Sequence, residues 1–333
     1  MQKLILTRIA SLAGVMLVLS LAVFFIQRLI PADPVRALVG RTASPEVVAA
    51  ARVQLGLDDP FFVQYARFLG NLVLHGDLGN SLRTRNPVAT DIGAFLPATL
   101  ELVLVATVLA LVGGLVLGIL SSRSGWLSSV IRFVTVAGSS SATFLVGILA
   151  ILVLYRNLGW FPAGGRSETV LAPGPTGFLL VDTLLAGNPA GWLDALRHLL
   201  LPAAVLALGP TVAIGRTLRG SLRTVMQADF IRSAHAKGFT WSAVTARHAL
   251  RNSVNPALSM AGLQIGLLFS GSVIVETIFS WPGVGGYMSK AIGASDFPAI
   301  VGVVLVLGGA YVLINFVVDM LQLVIDPRLR STS

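Results

Sequence analysis

Long apolar runs that return along the chain with few or no charges constrain this polypeptide more than any other feature. Six stand out, at Ile9–Gln27, Leu102–Leu120, Phe133–Tyr155, Leu199–Gly215, Ser253–Val275 and Phe297–Val318. Each is about the length that a tilted helix needs to cross a hydrocarbon core roughly 30 Å thick. Composition agrees: 55% of residues are hydrophobic and 12% charged, whereas a soluble domain carries about a quarter charged residues. The mean hydropathy is +0.82. The chain therefore reads as an all-α membrane protein with about six transmembrane helices. Gly113, Gly114, Pro202, Pro210, Pro256, Gly308 and Gly309 lie inside the runs. In lipid such residues permit close helix approach and kinks, and plain packing is expected of most of them.

The first run follows Lys3 and Arg8 as in a signal peptide, but it lacks a small-x-small cleavage site and continues into Pro31-Ala32-Asp33-Pro34. Residues 1–30 are read as an uncleaved anchor helix. Orientation follows from Lys and Arg in the short loops. With the N-terminus inside, the cytoplasmic segments are the start, the turn with Arg123 and Arg132, residues 216–252, and the tail 326–333 with Arg328 and Arg330. The 216–252 loop holds Arg216, Arg219, Arg223, Arg232, Lys237, Arg247 and Arg251 against one acid, Asp229. The outer loop 156–198 is balanced, and the longer one, 31–98, exceeds the length over which the rule applies. Both termini are expected in the cytoplasm. The net charge of +9 then lies along a membrane face, and nucleic acid is not an expected partner. Cysteine is absent, which excludes disulfides, thiolate metal sites and cysteine nucleophiles.

The outer segment 31–94 carries helix start and stop signals. Ser44-Pro45-Glu46 supplies an N-cap, a proline at the first helical position and an acid in the first turn, and Gly56 closes that helix. Asp59-Pro60 repeats the device and Gly76 ends the second helix. Phe61, Phe62, Tyr65, Phe68, Leu69 and Leu72 give this second helix a broad apolar face, for which docking on the bundle is the simplest use and a soluble partner the alternative.

The most informative cytoplasmic stretch runs from Ala228 to Trp241. Asp229 can cap a short helix whose last turn holds Lys237 and whose C′ residue is Gly238, where positive φ costs nothing. Thr240 can cap a second helix leading toward Asn252 and Pro256. A compact helical knob joined to two spans can transmit motion from a cytoplasmic motor. From composition alone it can equally rest on an anionic leaflet.

Arg232-Ser233-Ala234-His235-Ala236-Lys237-Gly238, followed by Arg247-His248-Ala249-Leu250-Arg251-Asn252 and Pro256, resembles the cytoplasmic "EAA" loop of binding-protein-dependent ABC importer permeases, in particular those of the dipeptide, oligopeptide and nickel group. The resemblance covers nearly the whole chain. It includes Leu29-Ile30-Pro31-Ala32-Asp33-Pro34, Gln54-Leu55-Gly56-Leu57-Asp58, Gln64-Tyr65, Gly76-Asp77-Leu78-Gly79-Asn80-Ser81 and Pro97-Ala98-Thr99-Leu100-Glu101-Leu102. Toward the C-terminus it includes Val275 through Gly285, Val318-Asp319 and Asp326-Pro327-Arg328. It implies a type I ABC importer transmembrane fold over 95–325 and the first of two permease subunits. It further implies a second homologous permease, two ATPase subunits gripping the loop 216–252, and an extracytoplasmic substrate-binding protein. The location it implies is a bacterial or archaeal plasma membrane. Asp229, Phe230, Arg232, Ala234, Lys237, Gly238 and Phe239 become the candidate contacts with the ATPases. Three departures stand out: Arg232 where the general motif has Glu, Ala32 in place of a usual Gly, and Ala142 where relatives often carry Pro. The last predicts a straighter third span.

Chemistry inside the chain is thin. Lys3, Lys237 and Lys290 are followed by Leu, Gly and Ala, so no Gly-Lys-Ser/Thr phosphate cradle exists. ATP and Mg are expected only on partner subunits, with no cofactor in this chain. The four histidines show no zinc-ligand spacing, and no Gly-x-Ser-x-Gly elbow occurs. Glu101, Glu276 and Asp319 lie near span ends, where snorkelling or pairing is the expected role. Gln264 and Asn315 lie deeper, where they can line a translocation path or, more simply, bridge helices, and Glu276 is a further candidate for the path. The leading expectation is an importer permease for di- or oligopeptides, with nickel chelates or glutathione as other cargoes. An ion-driven secondary transporter would need a central carboxylate and paired broken helices. A membrane enzyme would need a convergent nucleophile and base. Neither pattern is clear.

Overall fold

A computed structural model describes residues 2–29, 44–54, 56, 58–123, 125–140, 142–168 and 174–325. The predicted tail 326–333 and Pro31-Ala32-Asp33-Pro34 lie outside the described residues. Among those described the chain is helical, and its only bridge pairs Asn80 with Pro87. The helices are α1 (Gln2–Leu29), α2 (Pro45–Gln54), α3 (Phe61–His75), α4 (Val88–Ser122), α5 (Trp126–Ser140), α6 (Thr143–Ala150), α7 (Leu179–Leu185), α8 (Pro189–Val225), α9 (Asp229–Ala236), α10 (Trp241–Val244), α11 (Leu250–Ile278), α12 (Val284–Gly293) and α13 (Phe297–Ile325).

Among the described residues four stretches are long and apolar enough to cross a bilayer: α4, α8, Trp241–Ile278 and the Phe297–Val317 part of α13. Shorter apolar helices, Ala10–Ile26 and Thr143–Asn157, fall at the first and third predicted runs. The third run corrects the expectation drawn from Ala142. The chain does not straighten there: Ala142 is extended, with ψ at 134°, and separates α5 from α6. Beyond α6 the backbone widens into a π-helical turn, Ile151–Asn157.

The chain divides into two compact units. One holds residues up to Thr99 with Pro175–Phe178 and Pro282–Ala310; the other holds Leu100–Gly174, Leu179–Trp281 and Tyr311 onward.

In the second unit α4 and α8 meet through small residues. A Cβ on Gly114 would lie 2.7 Å from Ile214, one on Gly118 2.8 Å from Leu218, and one on Gly215 3.1 Å from the Gly114 carbonyl. The large aliphatics of α4 point the other way: Leu104, Val108, Val112 and Val116 form an exposed stripe at four-residue spacing. Small residues inside and branched aliphatics outside is the arrangement that lipid favours, because hydrocarbon gives helices no hydrophobic reason to associate.

The first unit contains a polar clip. Asp296, fully buried, accepts a 2.5 Å hydrogen bond from the Ser81 hydroxyl and a 3.1 Å bond from the Arg83 amide. Its other oxygen receives the Ala299 amide at 3.4 Å and so caps α13. Asp91, at the start of α4, receives Thr84 at 2.5 Å, Asn86 at 3.1 Å and the Tyr287 hydroxyl at 3.0 Å. Beneath these bonds Val88, Ile92, Val284, Tyr287, Ala291, Ala299 and Val303 form an apolar core. Burial pushes the Tyr287 hydroxyl up to about 12; the neighbouring Asp91 and Asp296 act in the same direction, against a hydrogen bond from Ser81.

In the same unit the outer-segment helices follow their signals with one exception. Ser44 Oγ accepts the Val47 amide at 3.5 Å, and Gly56 adopts φ +62° after α2. Gly76 ends α3 at φ 65°, with the Asp77 amide returning to Asn71 O. Asp59 does not cap α3; Pro60 occupies that position. The Asp59 carboxylate instead makes a charge-assisted bond to Arg67 at 2.7 Å. The apolar face of α3 docks on α1 as expected: Phe24 meets Phe61, Tyr65 and Phe68 with ring centroids 5.5–5.7 Å apart, and Ser20 Oγ lies 2.9 Å from the Tyr65 hydroxyl.

Candidate coupling site

The segment read as a loop over 216–252 is largely helix. α8 continues past Gly215 through Arg216, Arg219 and Arg223 to Val225. Arg and Leu are good helix formers, Gly220 alone does not break the helix, and Leu218 and Leu222 are buried. The other end is also helical from Trp241 onward. What remains is a knob of a three-residue turn, α9 and a second turn, built directly onto two long rods.

Within the knob, Gly238 has φ +83°, and the Phe239 amide returns to Ala234 O at 3.3 Å, so the glycine stop is as expected. Thr240 Oγ1 accepts the Ala243 amide at 3.4 Å and caps α10. Asp229 differs from expectation: it is the first residue of α9 rather than its cap. Its carboxylate is 96% exposed and pairs with Arg232 at 3.4 Å. The acid still opposes the positive end of the helix dipole.

The faces of the knob divide sharply. Ile231, Ala234 and Val244 are buried. Phe230 and Phe239 are 47% and 38% exposed, and Arg232, Lys237 and Gly238 are exposed. Two apolar rings among cations, one on the short helix and one in the turn after it, offer anchors for a partner. Ring contacts flank the knob's C-terminal side. The Arg123 guanidinium sits 4.3 Å over the Trp241 ring and reaches Ser242 Oγ at 3.4 Å, while Phe239 meets the His248 ring edge-on at 6.1 Å. Between α10 and α11 the backbone widens into a π-helical turn, Thr245–Ala249, where the buried Thr245 hydroxyl finds no hydrogen-bond partner among the described residues. Such turns recur at functional sites.

The polar candidates within the spans are less united. Gln264 contacts Met260 at 3.9 Å and Asn315 donates to Tyr311 O at 2.9 Å, both within their own helices. Neither makes an interhelical hydrogen bond among the described residues, contrary to the bridging expectation. Asn315 does lie where α11 and α13 come close: a Cβ on Gly266 would stand 2.5 Å from Tyr311 and 3.2 Å from Asn315. Glu276 does not snorkel; it is fully buried. The side chain of Asp319 lies outside the described residues.

Sequence reasoning missed a polar strap in the second unit. Glu101, 5% exposed, pairs with Arg166 and accepts the Leu180 amide at 2.7 Å. The Arg166 guanidinium lies 5.7 Å from the Trp281 ring centre, and the Gly165 amide donates to Phe279 O at 2.9 Å. Asp194 accepts Ser167 Oγ at 2.6 Å and lies 3.1 Å from His198 Nδ1. Pairing was expected of Glu101, but Arg166 was visible only as one of several balanced charges in a long loop.

Among the described residues no cluster of three metal-ligating side chains occurs. The chain matches the family described as "binding-protein-dependent transport system inner membrane component" over residues 110–331, and that family's N-terminal component over 1–103. It is 43% identical over 310 residues to the probable D,D-dipeptide transport system permease protein of Escherichia coli K12, covering 92% of this chain and 91% of that one. To the di/tripeptide transport system permease protein of Pseudomonas aeruginosa it is 41% identical, covering 93% and 94%. To the dipeptide permease of Alkalihalophilus pseudofirmus it is 36% identical, covering 97% and 98%. The chain belongs to the inner-membrane permease family of binding-protein-dependent ABC importers, whose members are non-catalytic membrane subunits.

Proposed function

We propose that this chain is the pore-forming permease subunit of an ATP-driven importer of di- or oligopeptides. Six spans with both termini in the cytoplasm form half of the pore, and a second homologous permease supplies the other half. Two ATPase subunits, holding ATP and Mg, grip the knob over 229–240, and an external binding protein delivers cargo. The peptide assignment rests on the names of the full-length relatives.

The observation that carries the coupling role is a compact knob, mounted between two long rods, that exposes Phe230 on its short helix and Phe239 in the turn that follows. Because Arg216–Val225 extends α8 without a break, a push on α9 reaches the membrane as a rigid displacement rather than being absorbed by a flexible loop. ATP binding closes the ATPases, the knob moves, and the bundle exchanges an outward-open arrangement for an inward-open one. Glu276, Gln264 and Asn315 are the polar residues proposed for the path.

The test is uptake by the complete complex in proteoliposomes. Labelled dipeptide should accumulate with internal ATP and binding protein, and should not accumulate on a proton or sodium gradient alone. Uptake sustained by the gradient without ATP contradicts the proposal.

A further inference from the structure

Beyond the transport reading, we infer that the junction of α4, α5 and α8 is a binding site for the phosphate headgroup of an anionic lipid. A cavity of about 150 Å³ opens there, lined by Leu117, Ser121, Arg132, Thr135, Arg216 and Arg219 among others. Three arginine residues therefore line one small space. Among the described residues none of the three is in an ion pair, whereas Arg67, Arg166 and Arg232 each have a carboxylate. Arg132 has only the neutral Ser129 hydroxyl, at 2.5 Å.

Three cations lining one cavity without an anion repel, and a phosphate supplies the missing charge with acceptors in the forked geometry that arginine recognises. The surroundings favour a lipid over a free ion. Leu117 and Val212 line the cavity, and α5, which supplies Arg132 and Thr135, leaves Trp126, Val130 and Phe133 exposed as an apolar face for acyl chains. On the orientation proposed above, the cluster lies at the cytoplasmic ends of these helices. Basic pockets between helices on that side hold anionic headgroups.

The experiment is native mass spectrometry of the complete complex, released from membranes and exposed to phosphatidylglycerol, phosphatidylcholine, inorganic phosphate or a dipeptide. Wild type should retain phosphatidylglycerol. The Arg132→Gln/Arg219→Gln double variant should bind it roughly thirtyfold more weakly, and Arg132→Lys/Arg219→Lys should keep most of the binding. Equal retention by wild type and the Gln variant overturns the site, as does equal retention of phosphatidylcholine. Displacement of the lipid by inorganic phosphate would assign the cluster to a free anion, and displacement by dipeptide would assign it to substrate; either overturns the lipid proposal. Labelling of an Asp229→Cys variant from the cytosolic side alone checks orientation separately, so a failure of lipid binding there leaves the transport reading standing.

Discussion

The clip of the first unit and the knob of the second are both short chain segments that join long helices, yet they are built in opposite ways. In the clip, polar atoms face inward: Asp296 and Asp91 are buried and together satisfy hydroxyl, amide and phenol donors. In the knob the ion pair faces outward, and exposed rings and cations exceed the buried residues. A buried, satisfied polar network holds one geometry, because losing any member leaves the others desolvated and unpaired. The knob packs one face of its helix through Ile231 and Ala234 and keeps the side chains of the other face available. One region is built to hold a geometry, and the other leaves rings and cations open to contact, as the proposed coupling role requires.

That contrast can be broken most severely at Asp296. Replacing it by alanine leaves the Ser81 hydroxyl and the Arg83 amide without their acceptor, and each buried donor left unsatisfied costs about 1–3 kcal/mol. The Asp296→Ala protein should fall severalfold in membrane-integrated level, read by quantitative blotting; a normal level with normal melting would remove the clip's structural role.

Gly238→Pro comes next and should separate the two regions cleanly. Proline fixes φ near −65°, whereas Gly238 sits at +83°. Insertion should persist, because the strained turn lies outside the spans, while ATP-dependent uptake should be lost. Normal uptake by a normally inserted variant would count against the coupling role.

Tyr287→Phe removes the hydroxyl that Asp91 accepts at 3.0 Å and should lower stability by about 1–2 kcal/mol. The pH dependence has a definite sign. With the folded phenol raised to about 12 from the ordinary 10.0 of a tyrosine, its contribution is whole below pH 10 and is lost as pH climbs toward 12. Wild type should therefore show an alkaline loss of stability in that window that the Phe variant lacks, measured by thermal melting against pH.

The smallest effect is expected from Arg123→Ala. The guanidinium on Trp241 is exposed and worth about 0.5–1 kcal/mol. Melting should barely change while the ratio of uptake to ATP hydrolysed declines; unchanged coupling would show that this contact is only packing.

Features with local causes were legible. The Gly238 turn, the Thr240 cap and the Gly76 stop each depend on backbone preferences carried by one residue. So was the apolar face of α3, because its period is written in the side chains. What escaped depends on partners distant in sequence. Asp296 lies 215 positions from Ser81, and nothing near either residue announces the other. Asp59 carries the signature of a cap, yet Arg67, one face along α3, competes for it and wins. The break at Ala142 has no proline and no described glycine cap to mark it. The continuation of α8 beyond Gly215 was hidden for another reason. Hydropathy marks where lipid ends, not where the helix ends, and the arginines of 216–223 extend the rod beyond the apolar run.

The central claim is that the knob meets a cytosolic ATPase, and a chain without cysteine makes it directly testable. A Phe230→Cys variant in the full complex, treated with a short thiol crosslinker, should join this chain to the ATPase subunit and should resist a membrane-impermeant maleimide added from outside intact cells. Labelling from outside, with no crosslink to the ATPase, would contradict the account.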